Sequence, residues 1–252
     1  MDEIVITTES AIRFITLNRP EKRNALNDQL IAGLKSALVD ADADESLRAI
    51  IIYGAGNDFC SGADLASLQT ISENSVEENV KDAMNLAKLF EQIRKTRLPV
   101  IAAVHGRALA GGCGLATACD LVLATKTARF GYPEVKIGFV PAMVAAILRR
   151  NLSEKRSFEL LTQGFEFSSD DALNLGLVNR VFDDEGFDDA VLEYASVYAK
   201  VSGSAVRLTK KLLYEIDGID FASALRRGAE VNAEARATDD CKAGIAGFLN
   251  KT

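Results

Sequence analysis

Histidine is nearly absent: His105 is the only one in 252 residues. No histidine pair is available to a metal, and a Ser-His-Asp arrangement would have to run through His105. That residue lies between Val104 and Gly106 at the end of an apolar run, which favours a structural hydrogen bond for the following turn. Cysteines are few: Cys60, Cys113, Cys119 and Cys241, with no paired metal-ligand spacing. Two of them sit in apolar runs, where a free thiol acts as a small hydrophobe; all four read as reduced thiols of a cytoplasmic protein. No apolar run reaches the roughly 18 residues of a membrane helix, and Met1–Glu9 lacks the apolar core of a signal peptide. Basic excess is also missing. The net charge of −7 opposes a phosphate backbone, so no nucleic-acid partner is expected, although local Lys and Arg can still meet a small polyanion.

Several motifs are missing as well. No Gly-Lys-Ser/Thr follows the glycine-rich segment, and Gly106–Gly112 lacks the glycine spacing and downstream acid of a dinucleotide site. The acids of 183–189 read as a solvated helix start, so no metal is expected. No internal repeat or low-complexity linker occurs.

What remains is a globular composition, 48% hydrophobic and 26% charged. Residues 3–8 and 11–18 form a predicted antiparallel hairpin. Helical spacing follows over 28–43, a buried strand over 49–53 and a turn over 54–58. The polar run 65–78 reads as a mobile loop, and 79–96 as a helix. Strands are expected at 100–104 and 120–124, on either side of a small-residue helix at 111–118. Beyond Pro141 the pattern turns helical, at about 141–149, 153–163, 169–175, 186–201, 203–216 and 220–248, with one short strand at 177–182. Alternating strands and helices followed by helices imply an α/β core, taken as 1–195, with a helical C-terminal part over 196–252.

Three segments can carry chemistry. Phe59-Cys60-Ser61-Gly62-Ala63-Asp64-Leu65 and His105 to Leu115 both place small residues between a strand and a helix. Such turns let a ligand approach the backbone and leave helix-start N–H groups unpaired; together they can polarise a carbonyl. Each is equally an ordinary tight turn. Asp64 reads as a helix cap, Asp120 as a loop anchor and Cys113 as packing. The third segment, Tyr132 to Gly138, sets Glu134 among apolar neighbours. It is either a solvated turn carboxylate or a general acid/base of raised pKa.

Taken together, these segments resemble the crotonase, or enoyl-CoA hydratase/isomerase, family. The likeness runs from about Val5 to Phe248 through Leu17-Asn18-Arg19-Pro20, Asn24-Ala25-Leu26, Phe59–Leu65, Ala110–Leu115, Cys119-Asp120, Phe130, Pro133-Glu134, Gly164 and Leu175-Gly176-Leu177-Val178.

The resemblance implies a spiral of ββα units whose helical C-terminus assembles a homotrimer or a dimer of trimers. It places the two carbonyl-binding N–H groups on Ala63 and Gly111, holding an acyl-CoA thioester whose enolate is the shared intermediate. Coenzyme A is then part of the substrate, and no separate cofactor is implied. Its adenine end is expected along Ser61, Asp64 and Leu65 beside Ala25, its phosphates at Lys22 and Arg23, with Lys251 of another subunit assisting. Hydratases of the family use two glutamates. Glu134 matches one; Gly114 stands where the other belongs. Gly114 together with the turn Val140-Pro141-Ala142-Met143 resembles a hydratase branch acting on short or branched, carboxylated enoyl-CoAs such as methylglutaconyl-CoA, so hydration comes first, with Glu134 serving as acid and base. Double-bond isomerisation on Glu134 alone comes second, and acyl-CoA binding without turnover third. Phe139, Val140, Met143 and Val144 suggest a nearby acyl tail or plain core.

Overall fold

The structure is a computed structural model that describes residues 2–250. Its elements run β1 (Ile4–Glu9), β2 (Ile12–Leu17), α1 (Asp28–Ala43), β3 (Ala49–Gly54), α2 (Leu65–Glu73), α3 (Val76–Lys95), β4 (Val100–Val104), β5 (Arg107–Leu109), α4 (Gly111–Ala118), β6 (Leu121–Thr125) and β7 (Arg129–Gly131). There follow α5 (Ala142–Asn151), α6 (Glu154–Gln163), β8 (Glu166–Ser168), α7 (Ser169–Leu175), β9 (Arg180–Phe182), α8 (Phe187–Ser196), α9 (Gly203–Glu215), α10 (Phe221–Ala237) and α11 (Asp239–Leu249).

Among the described residues one sheet has the order β1-β2-β3-β4-β6-β9, antiparallel only at the β1–β2 hairpin. Its inner strands are apolar on both faces, as a covered parallel sheet requires. Ile50, Ile52, Val100, Ala102 and Val104 enter the larger core with α1, α3 and α4. The alternate residues Ile51, Ile101 and Ala103 meet Phe187 and Val191 of α8 on the other face.

A second, smaller layer holds β5, β7 and β8. It is prolonged by two isolated parallel bridges, Cys60↔Ala108 and Leu26↔Ala63. The units β4-β5-α4 and β6-β7-α5 thus each give one strand to either layer before a helix, the expected ββα spiral.

Several elements differ from the sequence reading. The expected loop over 65–78 is α2 and the first turn of α3. The start of α3 is set by a capping box in which Ser75 and Glu78 satisfy each other's backbone N–H. The helix expected over 220–248 breaks at Thr238, whose extended backbone (φ −70°, ψ 150°) ends α10 while its hydroxyl caps α11. Helix 186–201 ends at Ser196 and passes into a 3-10 turn at Val197–Ala199. Strands β5, β7 and β8 leave no mark on the sequence pattern; three residues each are too few for an alternation to register.

The C-terminal helices are not detached from the core. Lys210 of α9 is buried and donates to Ile93 O (2.9 Å), Leu98 O (2.8 Å) and Asp120 Oδ2 (2.7 Å). Tyr214 donates to Asp120 Oδ1 (2.7 Å), and Asp120 also accepts from Val100 N–H. Asp120 is the anchor the sequence suggested, and it fastens the helical region as well as a loop. In contrast, α10 and α11 leave Phe221, Leu225, Phe248 and Leu249 exposed on the single chain.

Candidate functional site

One row of pairings organises the site. Cys60 bridges Ala108, and Ala108 pairs with Phe130 in parallel register. All three segments therefore leave the row in the same direction. Three residues beyond Cys60 lies Ala63, three beyond Ala108 lies Gly111, and four beyond Phe130 lies Glu134.

The loops following the row touch. A Cβ on Gly62 (φ +96°) would lie 2.8 Å from Ala110 Cβ and 3.5 Å from Gly111 N. A Cβ on Gly112 would lie 2.3 Å from Cys60 O. No larger residue fits at either place, which is the physical reason for glycine there.

The backbone sets the donors. Leu26 N–H donates to Gly62 O (2.7 Å) and Asp64 N–H to Leu26 O (3.0 Å). In that parallel bridge the N–H of Ala63 points away from Leu26. Gly111 is the first residue of α4, so its N–H has no acceptor within the helix. Ala110 precedes it at φ +50°, ψ −127°, a conformation costing an L-residue roughly 1–3 kcal/mol. The hydrogen bond from Ala110 N–H to Gly131 O (2.8 Å) maintains it and ties α4 to the segment leading into Glu134. Among the described residues neither Ala63 N–H nor Gly111 N–H donates a hydrogen bond.

Glu134 sits in a 3-10 turn that Pro133 opens and Gly138 (φ +77°) closes. Its Oε2 is buried and without a hydrogen-bond partner among the described residues. Burial raises the carboxyl's pKa, its own backbone N–H opposing only in part. Two unbonded N–H groups and a carboxyl that holds its proton unusually long, on segments leaving one row of pairings, form a set that can polarise a carbonyl and move a proton next to it.

Gly114 follows Gly111 by one helical turn. A Cβ there would stand 2.8 Å from Val144 Cγ2 and 3.2 Å from Phe90 Cζ. A Cβ on Gly111 would contact Leu26 and Leu86. The surroundings of this turn are thus aliphatic and aromatic. Val144 is buried here, whereas Phe139 and Val140 are exposed.

The other expected ligand contacts separate into two groups. Lys22, Arg23 and Ser61 lie together near the surface: Ser61 N–H donates to Arg23 O (3.0 Å), and the exposed Arg23 side chain is 4.0 Å from Asp58 Oδ2. Ala25 and Asp64 are buried instead, and Asp64 accepts from Arg19 (2.8 Å). Leu65 opens α2. Lys251 lies outside the described residues.

His105 Nε2 bonds Gly56 O (3.0 Å), and its ring stacks on Tyr53, a structural role joining the turn after β3 to β4. Cys60 and Cys113 are wholly buried, and burial pushes both thiols up to about 12. No group of three or more His, Cys, Asp or Glu among the described residues is placed to hold a metal. No helix there is long and apolar enough to cross a membrane.

The family model described as enoyl-CoA hydratase/isomerase matches residues 7–252. The chain belongs to that family. A Thermus thermophilus protein assigned provisionally as an enoyl-CoA hydratase is 41% identical over 240 residues, 95% of each chain. The 2,3-dehydroadipyl-CoA hydratase of Escherichia coli is 31% identical, with 100% of this chain and 97% of that protein covered. The crystal structure of an enoyl-CoA hydratase from Mycobacterium smegmatis superposes with a TM-score of 0.95 at 33% identity, covering 100% of this chain and 97% of the other. The fold is the crotonase fold, and the chain is an enzyme of the hydratase/isomerase type acting on acyl-CoA.

The sequence reading missed Asn24 and Arg19 as builders of this site. Asn24 is fully buried in a left-handed conformation. Its amide donates to Ala55 O and Asp58 O while its Oδ1 accepts from Arg19 N–H. An Asn amid loop residues carries a turn signal, but its partners lie about thirty residues away in sequence and are supplied only by the fold.

Proposed function

We propose that the enzyme adds water to, or removes it from, a short or branched enoyl-CoA thioester. Ala63 and Gly111 N–H hold the thioester carbonyl, and Glu134 is the proton-transferring group. The observation that carries this reading is the shared row Cys60–Ala108–Phe130, from which the segments bearing both donors and Glu134 run on in the same direction. Two donors aimed where enolate charge develops lower the barrier to forming it, and one carboxyl of raised pKa can deliver or take the proton at the α-carbon.

The hydratase names of the relatives support hydration, among them the short-chain-enoyl-CoA hydratase of Clostridium acetobutylicum, 30% identical over 253 residues. The apolar side chains of Leu26, Leu86, Phe90 and Val144 around Gly111 and Gly114 support an apolar acyl group. Lys22 and Arg23 are exposed basic residues available to the coenzyme's phosphates, with Ser61 beside them for its adenine end. Coenzyme A enters with the substrate and no further cofactor takes part. The exposed apolar side chains of α10 and α11 support assembly as a trimer or a dimer of trimers.

One observation favours isomerisation as a second reading. The space beside Gly114 is filled by Val144 and Phe90, so no second carboxylate orients water from that side. A mass-resolved assay on enoyl-, 3-hydroxyacyl- and dienoyl-CoA thioesters separates the two. Hydration appears as the gain of one water, whereas isomerisation leaves the mass unchanged and moves the double bond. Binding of the whole panel without turnover contradicts both.

A further inference from the structure

We infer that Arg19 is a positioning residue for the reaction: it clips Ala25 to Asp64 and thereby fixes the direction of Ala63 N–H. The inference rests on the proposed role of Ala63 and Gly111 as carbonyl donors.

The segment bearing Ala63 is short. Outside any regular strand, it is tied to residues 23–26 by Ser61 N–H to Arg23 O, Leu26 N–H to Gly62 O and Asp64 N–H to Leu26 O. Gly62 precedes Ala63 at φ +96° and gives the segment little stiffness of its own. Ala63 itself is exposed.

Arg19 grips both sides of this ribbon. Its Nη1 donates to Ala25 O at 2.6 Å and its Nη2 to Asp64 Oδ2 at 2.8 Å. Its Nε lies 3.2 Å from Glu3 Oε1. The Arg19 side chain is 12% exposed and that of Asp64 11%, so solvent screens the pair little. Arg19 is itself held: its N–H donates to Asn24 Oδ1 (2.9 Å), Asn24 N–H returns to Arg19 O (2.9 Å), and Asn24 is bonded to the turn after β3. A chain of bonds thus runs from the turn after β3 through Asn24 and Arg19 to Ala25 and to Asp64, the residue that follows Ala63. A planar guanidinium reaches three acceptors in a fixed fork; an ammonium on a flexible stem does not. Support of this kind holds a donor within the small angular range that carbonyl polarisation needs.

The test is made on the full-length enzyme with Arg19→Lys, Arg19→Met and Asp64→Asn. Steady-state kinetics are combined with the infrared carbonyl stretch of a bound, isotope-labelled acyl-CoA thioester. We expect kcat to fall roughly 10- to 100-fold in Arg19→Met with KM within about threefold. The downward carbonyl shift on binding should shrink in the same order, with Arg19→Lys and Asp64→Asn intermediate. A carbonyl shift and kcat unchanged in these variants would overturn the inference. So would a parallel loss of binding and rate with the shift intact, the mark of a merely structural role. Should Arg19→Met not fold, the two conservative variants decide the matter by the same readouts. A wild-type enzyme that binds thioester with no carbonyl shift defeats the carbonyl-donor reading itself.

Discussion

Cys60 and Ala108, forty-eight positions apart, face each other in a parallel bridge, and each lies three residues before a backbone N–H that makes no hydrogen bond among the described residues. Bridging fixes the distance between the two loops, and the close approach of Gly62 to Ala110 and of Gly112 to Cys60 leaves neither loop room to shift. With Glu134 leaving the same row, site geometry becomes a consequence of register.

Glu134→Gln separates chemistry from stability. Removing one positioned acid/base lowers turnover by roughly 10²–10⁴-fold. The same change should not weaken the fold. The folded-state pKa of Glu134 is raised by burial, so the native state binds more protons than the unfolded chain, and wild-type stability falls as pH rises from the ordinary carboxylate value through the raised one. The variant lacks that loss. Thermal melting across pH should give equal midpoints in acid and a higher midpoint for the variant at neutral pH, and the acid limb of wild-type kcat/KM should lie above the usual carboxylate range.

Gly114→Glu is expected to harm the fold and leave the chemistry unrepaired. Its Cβ meets Val144 Cγ2 at 2.8 Å, and overpacking a tight core costs about 1–3 kcal/mol. Adding Val144→Ala should recover part of that loss. Chemical denaturation of the two single variants and the double variant reads the coupling directly.

Much of the fold is legible in sequence, for identifiable reasons. Helix α1 and strand β4 carry clear periodicity and clean boundary residues, and both occupy the expected ranges. The small layer is not legible, because its strands have three residues each and its bridges a single pair. The two glycine turns are visible as segments, but their contact depends on the Cys60–Ala108 register, which no local pattern encodes. Arg19 and Asp64 are likewise joined only by the fold, forty-five positions apart.

Lys210→Met tests the attachment of α9. The substitution keeps the side chain's bulk but leaves the Asp120 carboxylate, 15% exposed, without its ammonium partner. Breaking a buried pair from one side costs about 3–5 kcal/mol. The denaturation midpoint should fall accordingly, and hydrogen exchange should show α9 opening first.

Thiol reactivity follows burial. Cys60, Cys113 and Cys119 are buried with thiol pKa values pushed well up by desolvation, whereas Cys241 is partly exposed. Brief alkylation of the native enzyme followed by peptide mass spectrometry should label Cys241 first and the other three only on unfolding.

The central claim is that Ala63 and Gly111 stabilise an enolate whose proton Glu134 carries. It is tested most directly by solvent deuterium exchange at the α-carbon of bound acyl-CoA thioesters, followed by mass spectrometry. This readout is independent of whether water is added or a double bond moves. The account predicts α-deuterium incorporation by the wild-type enzyme and its loss by at least about 100-fold in Glu134→Gln with thioester binding retained. Exchange that proceeds equally well without the Glu134 carboxyl would contradict it.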